Sequence, residues 1–225
     1  LNEVDVPVVV RSSGIAEDLP TAAFAGQYES YLNVKGKEDI LYRIKDCWSS
    51  LFTARGIAYR VKNNLPIFAG SMGVIVQRIV SARSAGVAFT MLPNSGDDSR
   101  IMLEANWGLA ESVVQGTAIP DIYIIKKGPL TLEEKRIAQK LKQVTLKEIG
   151  TEEQEIPLEK QSVPCLSEEE AIKISEFALC AESHYGCPQD AEWVVERDRP
   201  FPKNVFLVQT RPLTAVQKKS PVDQV

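Results

Sequence analysis

Apolar residues follow two kinds of spacing along the chain, and the change from one to the other marks the elements. Between residues 37 and 63, Ile40, Leu41, Ile44, Trp48, Leu51, Phe52 and Ile57 recur at intervals dominated by three and four. That period predicts one or two amphipathic helices. Elsewhere the apolar residues come in short runs rich in Val, Ile and Phe and bounded by Gly, Pro, Asn and Ser, at residues 6–10, 73–80, 85–90 and 101–106, with a further strand expected at 27–34. These read as strands, and the middle of the chain as a sheet. Residues 106–116 (NWGLAESVVQG) predict a loop feeding one helical turn, and the charged, weakly patterned residues 131–161 a solvent-facing helix with a connection. Ser167 ahead of Glu168, Glu169 and Glu170 is a helix start, with Glu170 at the capping-box position and acids at the positive end of the dipole, predicting a helix to about Ser183. Residues 188–196 (PQDAEWVVE) and 205–211 (VFLVQTR) read as the two strands of a hairpin around a proline-containing loop.

Composition narrows the class. At 44% hydrophobic and 25% charged over 225 residues, the chain has the balance of a folded globular domain rather than a disordered or fibrous one. No apolar run approaches the roughly 20 residues that span a bilayer, and the first residues lack the pattern of a secretory leader, so the expected location is cytoplasmic. The net charge is −4, and the acidic excess lies in residues 131–176, which leaves no basic face for nucleic acid. Cys47, Cys165, Cys180 and Cys187 have no CxxC spacing and there is a single histidine, His184. Free, mostly buried thiols and no zinc site are expected. His184 falls near a helix end, where a dipole-interacting role is common; the three tryptophans read as packing residues.

The closing hairpin carries the best candidate chemistry. Opposed residues in an antiparallel pair have a constant sum of residue numbers, and side chains alternate faces. Setting Asp190 opposite Arg211 places Glu192 opposite Gln209, all four on one face. The other face then carries Ala191, Trp193 and Val195 against Phe206, Val208 and Thr210, a core surface. A carboxylate beside a carboxamide oxygen offers hard ligands for Mg²⁺, which fills the rest of its shell with water and phosphate. Arg211 adds fixed donors for phosphate oxygens. The plain alternative is a solvated sheet face with cross-strand polar pairs. Arg11, after the first strand, heads a loop of small residues ending at Gly26, in which backbone N–H groups can approach a polyphosphate closely; the alternative is an ordinary surface loop. Neither a P-loop nor a Rossmann fingerprint occurs. Gln77 interrupts the apolar run GVIVQRIV, so it takes either a polar partner or an edge-strand position.

Taken together, VRSSGIAEDLPTAAFAGQYESYLNV, CWSSLFTARGIAYR, MGVIVQRIV, SAGVAFT, NWGLAESVVQG, PDIYIIKK, HYGCPQDAEW and LVQTRPLT resemble, in order, the nucleotide-binding domain of the phosphoenolpyruvate synthase and pyruvate phosphate dikinase family, shared with rifampin phosphotransferase. The resemblance runs from Val10 to Thr214. It implies an α+β, ATP-grasp-like fold, a mixed or antiparallel sheet with flanking helices, holding Mg-ATP. It implies residues 1–217 as a partial nucleotide-binding domain and 218–225 as a polar tail or linker. By position, Arg11 and Arg211 resemble the phosphate-contacting, catalytic arginines, Gly26 and Ser30 nucleotide-contacting loop positions, and Gln77 the adenine-side residue. Glu192 and Gln209 match the metal and nucleotide ligands and Asp190 the supporting acid. Ser30 replaces a usual threonine but keeps the hydroxyl; Ile15 replaces a threonine and Ala23 a serine, which removes hydroxyl donors from the loop nearest the phosphates, and Ala110 replaces the second glycine of a GLGE block, which adds a methyl group where the backbone approach is tight.

In the intact family enzymes, ATP, pyruvate and water give phosphoenolpyruvate, AMP and phosphate through a phosphohistidine. The resemblance therefore implies that an N-terminal lobe with a phosphate-binding lysine, a swivelling phosphohistidine domain and a pyruvate-binding domain are missing from this chain, and His184 does not resemble that phosphohistidine. Two alternatives stand beside this reading: the corresponding domain of an antibiotic phosphotransferase, and a non-catalytic, degenerate nucleotide-binding module.

Overall fold

A computed structural model describes residues 6–14, 18–19, 22–23, 30–62 and 72–213. They form two compact units: one runs up to Ile79 and includes Leu146–Glu152, the other comprises Val80–Thr145 and the chain from Glu153 onward.

In the first unit, β1 (Val8–Gly14) is flanked by β4 (Ser30–Val34) and β5 (Met72–Arg78), both antiparallel to it, with β2 (Asp18–Leu19) and β3 (Ala22–Ala23) as a separate short pair. β1 is longer than expected: the strand carries on past the β-branched run through Arg11, Ser12 and Ser13 to Gly14, so Arg11 is a strand residue and not the head of a loop. The helical period at residues 37–63 resolves into α1 (Lys37–Ser49), a 3₁₀ turn at Ser50–Phe52 and α2 (Ala54–Lys62). Ile40, Ile44 and Cys47, three to four residues apart, cover Val10, Val34 and Val74 to make the core. Trp48 and Phe52 are half exposed, which corrects the expectation that Trp48 packs; its Nε1 donates to the Met72 carbonyl at 3.2 Å. On β4, Asn33 sits at φ 57° where the pairing with β1 shifts register, and its Nδ2 donates to the carbonyls of Lys147 (2.5 Å) and Gly150 (3.0 Å). A side chain that tolerates the left-handed region and carries two donors suits both tasks.

The second unit is built on six antiparallel strands in the order β13-β12-β6-β7-β8-β9. These are β6 (Ala82–Phe89), β7 (Arg100–Trp107), β8 (Asp121–Lys126), β9 (Thr131–Arg136), β12 (Gln189–Glu196) and β13 (Val205–Pro212), with the short helix α3 (Glu111–Val114) between β7 and β8. One face, carrying Ala88, Leu103, Tyr123, Ala191 and Trp193, packs beneath Ala171, Ile174 and Ala178 of α5 (Glu168–Tyr185). The helix begins at the predicted capping box, Ser167 Oγ accepting from Glu170 N–H at 3.2 Å and Glu170 Oε2 from Ser167 N–H at 3.0 Å, and stops at Gly186 in the left-handed conformation, φ 68°. Beneath it lies a fully buried ion pair, Lys140 Nζ to Asp121 Oδ1 at 2.6 Å; Asp121 also accepts the backbone N–H groups of Ala138 and Cys165, both at 2.9 Å.

Residues 131–161 are not a helix. They form β9, the hairpin of β10 (Lys142–Leu146) and β11 (Thr151–Glu155), and one turn, α4 (Leu158–Gln161). β9 is a mostly exposed edge strand whose Glu133, Glu134, Lys135 and Arg136 keep it from pairing further, and Gly150, at φ 74°, makes the hairpin turn. The thiols are all free, Cys47 and Cys165 buried, Cys187 half-buried and Cys180 exposed, so only part of the expected burial holds. No helix among the described residues is long and apolar enough to cross a membrane.

Candidate nucleotide and metal site

The closing hairpin has the expected register at its functional end. Asp190 pairs with Arg211, Ala191 with Thr210 and Glu192 with Gln209. Below that point the register slips by one, Trp193 facing Leu207 and Val195 facing Val205, so Val208 is an extra residue on β13. The bulge corrects the predicted core face: Val205 and Leu207, not Phe206 and Val208, join Trp193 and Val195 against α5. An extra residue re-aims everything beyond it.

Asp190 is buried, and its Oδ2 accepts both Arg211 Nε (2.9 Å) and Nη2 (2.6 Å). The guanidinium, 30% exposed in its side chain, is thus held by one edge while its remaining donors point elsewhere. Glu192 and Gln209 are half-buried cross-strand partners, one carboxylate beside one carboxamide. Among the described residues no three His, Cys, Asp or Glu side chains stand close enough to hold one metal ion. A donor set of one carboxylate and one amide oxygen does not enclose a cation; it fits a hard ion that brings its own water and phosphate, which is the habit of Mg²⁺.

Register extends this face across the sheet. Phe89 of β6 and Met102 of β7 continue the row of Asp190, and Val87 and Glu104 the row of Glu192. Glu104 was not singled out from sequence. The available signal was a lone acid within β7, where Ile101, Leu103 and Ala105 are fully buried on the opposite face. Burial, and then the negative charge of Asp190, push its carboxyl above the usual range. Gly86, facing Trp193 on β12 and Ala105 on β7, leaves room for the fully buried indole on the core side.

In the first unit, Arg11 pairs with Ser30 on one side and Ile75 on the other, and Gln77, two residues from Ile75, shares their face. This face is opposite the one bearing Val10 and Val74, which packs on α1. Arg11 and Gln77 are half-buried and Ser30 is exposed; Gln77 lies on β5, an edge strand of its sheet. The structure therefore brings Arg11, Ser30 and Gln77 to one sheet face in one unit, and Asp190, Glu192, Gln209 and Arg211 to one face in the other. Gly26 and Ile15 lie outside the described residues, as does the side chain of Ala23. Ala110 caps the N-terminal end of α3 in helical conformation.

The model of the family described as pyruvate phosphate dikinase, AMP/ATP-binding domain, matches residues 1–225. The chain belongs to this family. Similar proteins include the "Probable phosphoenolpyruvate synthase" of Staphylothermus marinus, 42% identical over 225 residues that cover 91% of this chain and 27% of that protein. The phosphoenolpyruvate synthases of Aeropyrum pernix and Pyrococcus furiosus are each 37% identical, covering 94% and 98% of this chain and 29% and 27% of their own lengths. The chain thus spans less than a third of the relatives it matches, and the AMP/ATP-binding domain of this family is the part to which it corresponds.

Proposed function

We propose that the chain binds Mg-ATP as the nucleotide-binding part of a phosphotransferase that converts ATP, pyruvate and water to phosphoenolpyruvate, AMP and phosphate, through a phosphohistidine carried outside this chain. The fold proposed is ATP-grasp-like, with residues 1–217 as the nucleotide-binding part and 218–225 as a polar tail or linker, working in the cytoplasm. Glu192 and Gln209 hold Mg²⁺, which neutralises phosphate charge when bound. Arg11 and Arg211 contact the phosphates and stabilise the charge that develops on them, Arg211 being aimed by Asp190. Gly26 and Ser30 approach the nucleotide through backbone and hydroxyl, and Gln77 meets the adenine side. The acceptor, the phosphohistidine domain, the pyruvate-binding domain and an N-terminal lobe are partners in the intact protein.

The observation that carries this reading is the pairing of Glu192 with Gln209 beside Asp190 with Arg211, in a chain of an AMP/ATP-binding family. The relatives named above favour pyruvate over an antibiotic as acceptor. Calorimetric titration with Mg-ATP and a non-hydrolysable analogue tests it: wild type binds both, and Glu192→Ala loses binding. Wild type without binding favours instead the degenerate module to which Ile15, Ala23 and Ala110 point.

A further inference from the structure

Among the described residues, none partners the side chain of Glu104. Its carboxylate is half-buried, stands in the same cross-strand row as Glu192 with Val87 between them, and makes no ion pair or hydrogen bond with any described residue. Its nearest charged influence is Asp190, of like sign, which together with burial raises its proton affinity. A carboxylate left in that position is a standing cost unless something positive or hydrogen-donating arrives to meet it. A purely structural acid in the same unit looks different: Glu170 is engaged by Arg83, Asn204 and a backbone N–H.

We propose that Glu104 is a positioning residue for the bound cation, accepting hydrogen bonds from the water molecules that Mg²⁺ keeps when Glu192 and Gln209 hold it. The inference rests on the proposed Mg-ATP reading of this face. Two strand spacings separate the backbones of Glu192 and Glu104 by about 10 Å. A metal–oxygen bond of about 2.1 Å to Glu192, a second to a retained water and a charge-assisted hydrogen bond of about 2.7 Å from that water would together span up to about 7 Å, and the two glutamate side chains can supply the remainder. Val87, the residue between, offers no polar atom to compete. Outer carboxylates of this kind orient the waters of a hard cation and raise its affinity without touching it.

The test is the Mg²⁺ dependence of ATP affinity, measured by calorimetry on the 225-residue chain, wild type against Glu104→Gln. At saturating Mg²⁺ the two should bind ATP within about threefold, while the Mg²⁺ concentration giving half-maximal affinity should rise about tenfold or more in the variant. The variant without ligand should melt no lower than wild type, because the amide is spared the buried charge. Superimposable Mg²⁺ curves, or a variant whose unliganded form melts well below wild type, overturn the role given to Glu104 and leave the site standing. Wild type that fails to bind Mg-ATP overturns the site, and this inference with it.

Discussion

Gly86 offers the sharpest test of how the site is held. A Cβ built at this position falls inside the backbone carbonyl of Glu104 on the neighbouring strand and lies 2.9 Å from Trp193 Cζ2. Neither obstacle turns aside easily. The carbonyl belongs to a strand paired on both sides, and Trp193 is the largest fully buried side chain. Overpacking a core by one methyl group costs about 1–3 kcal/mol when neighbours can adjust. Here β6 and β7 must also part, at about 1 kcal/mol for each ladder hydrogen bond weakened. Gly86→Ala should therefore cost about 3 kcal/mol or more, a large share of a typical total of about 5–15 kcal/mol. Urea unfolding followed by circular dichroism measures it. Gly128→Ala, at a glycine whose Cβ would meet nothing within 4 Å, is the control and should be near neutral. Because β7 carries Glu104, and the crowded Trp193 is the neighbour of Glu192 on β12, Mg-ATP affinity should fall with stability. A loss below about 1 kcal/mol for Gly86→Ala would refute the packing argument.

Two further outcomes follow from buried charge. Lys140→Met leaves Asp121, fully buried in its side chain, without its cation, although the backbone N–H groups of Ala138 and Cys165 and the Cys165 thiol remain beside it; the expected loss in urea unfolding is about 3–5 kcal/mol, and adding Asp121→Asn should restore part of it. Equal stability of Lys140→Met and wild type would remove the pair from the account. The carboxyl of Glu170 is opposed by burial yet held below the usual range by Arg83, the Ser167 N–H and Asn204. A depressed folded value means that its contribution is complete above the unfolded carboxylate pKa of about 4.3 and drains away as pH falls through the folded value. Wild type should exceed Glu170→Gln in melting temperature at pH 6 and converge on it toward pH 3; a constant gap would contradict the assignment.

How far the fold was legible depends on whether local signals agreed with the final packing. The start of α5 was readable to the residue because a capping box is a local interaction. The pairing of Glu192 with Gln209 was readable because one register alone separated polar from apolar residues near it. Lower in the same hairpin, Phe206, Leu207 and Val208 are all apolar, so no pattern betrayed the bulge. Residues 131–161 carry the Lys, Glu and Gln that favour a solvent-facing helix with a connection locally, but β8 supplies an edge to pair with and Gly150 a turn, and tertiary pairing overrides propensity. Arg11 was read as a loop residue because Ser12, Ser13 and Gly14 look like a break, yet β5 pairs with all of them. Glu104 escaped notice because a single acid in a strand has meaning only once its row across the sheet is known.

The bulge at Val208 reconciles two demands on one strand. In a regular ladder Gln209 and Leu207, two residues apart, would be in phase and point to the same side, so β13 would surrender either the amide opposite Glu192 or the leucine beneath α5. The one-residue offset is therefore a mechanical part of the nucleotide face: a change that forced β13 into a regular ladder there would turn either the amide or the leucine to the wrong side.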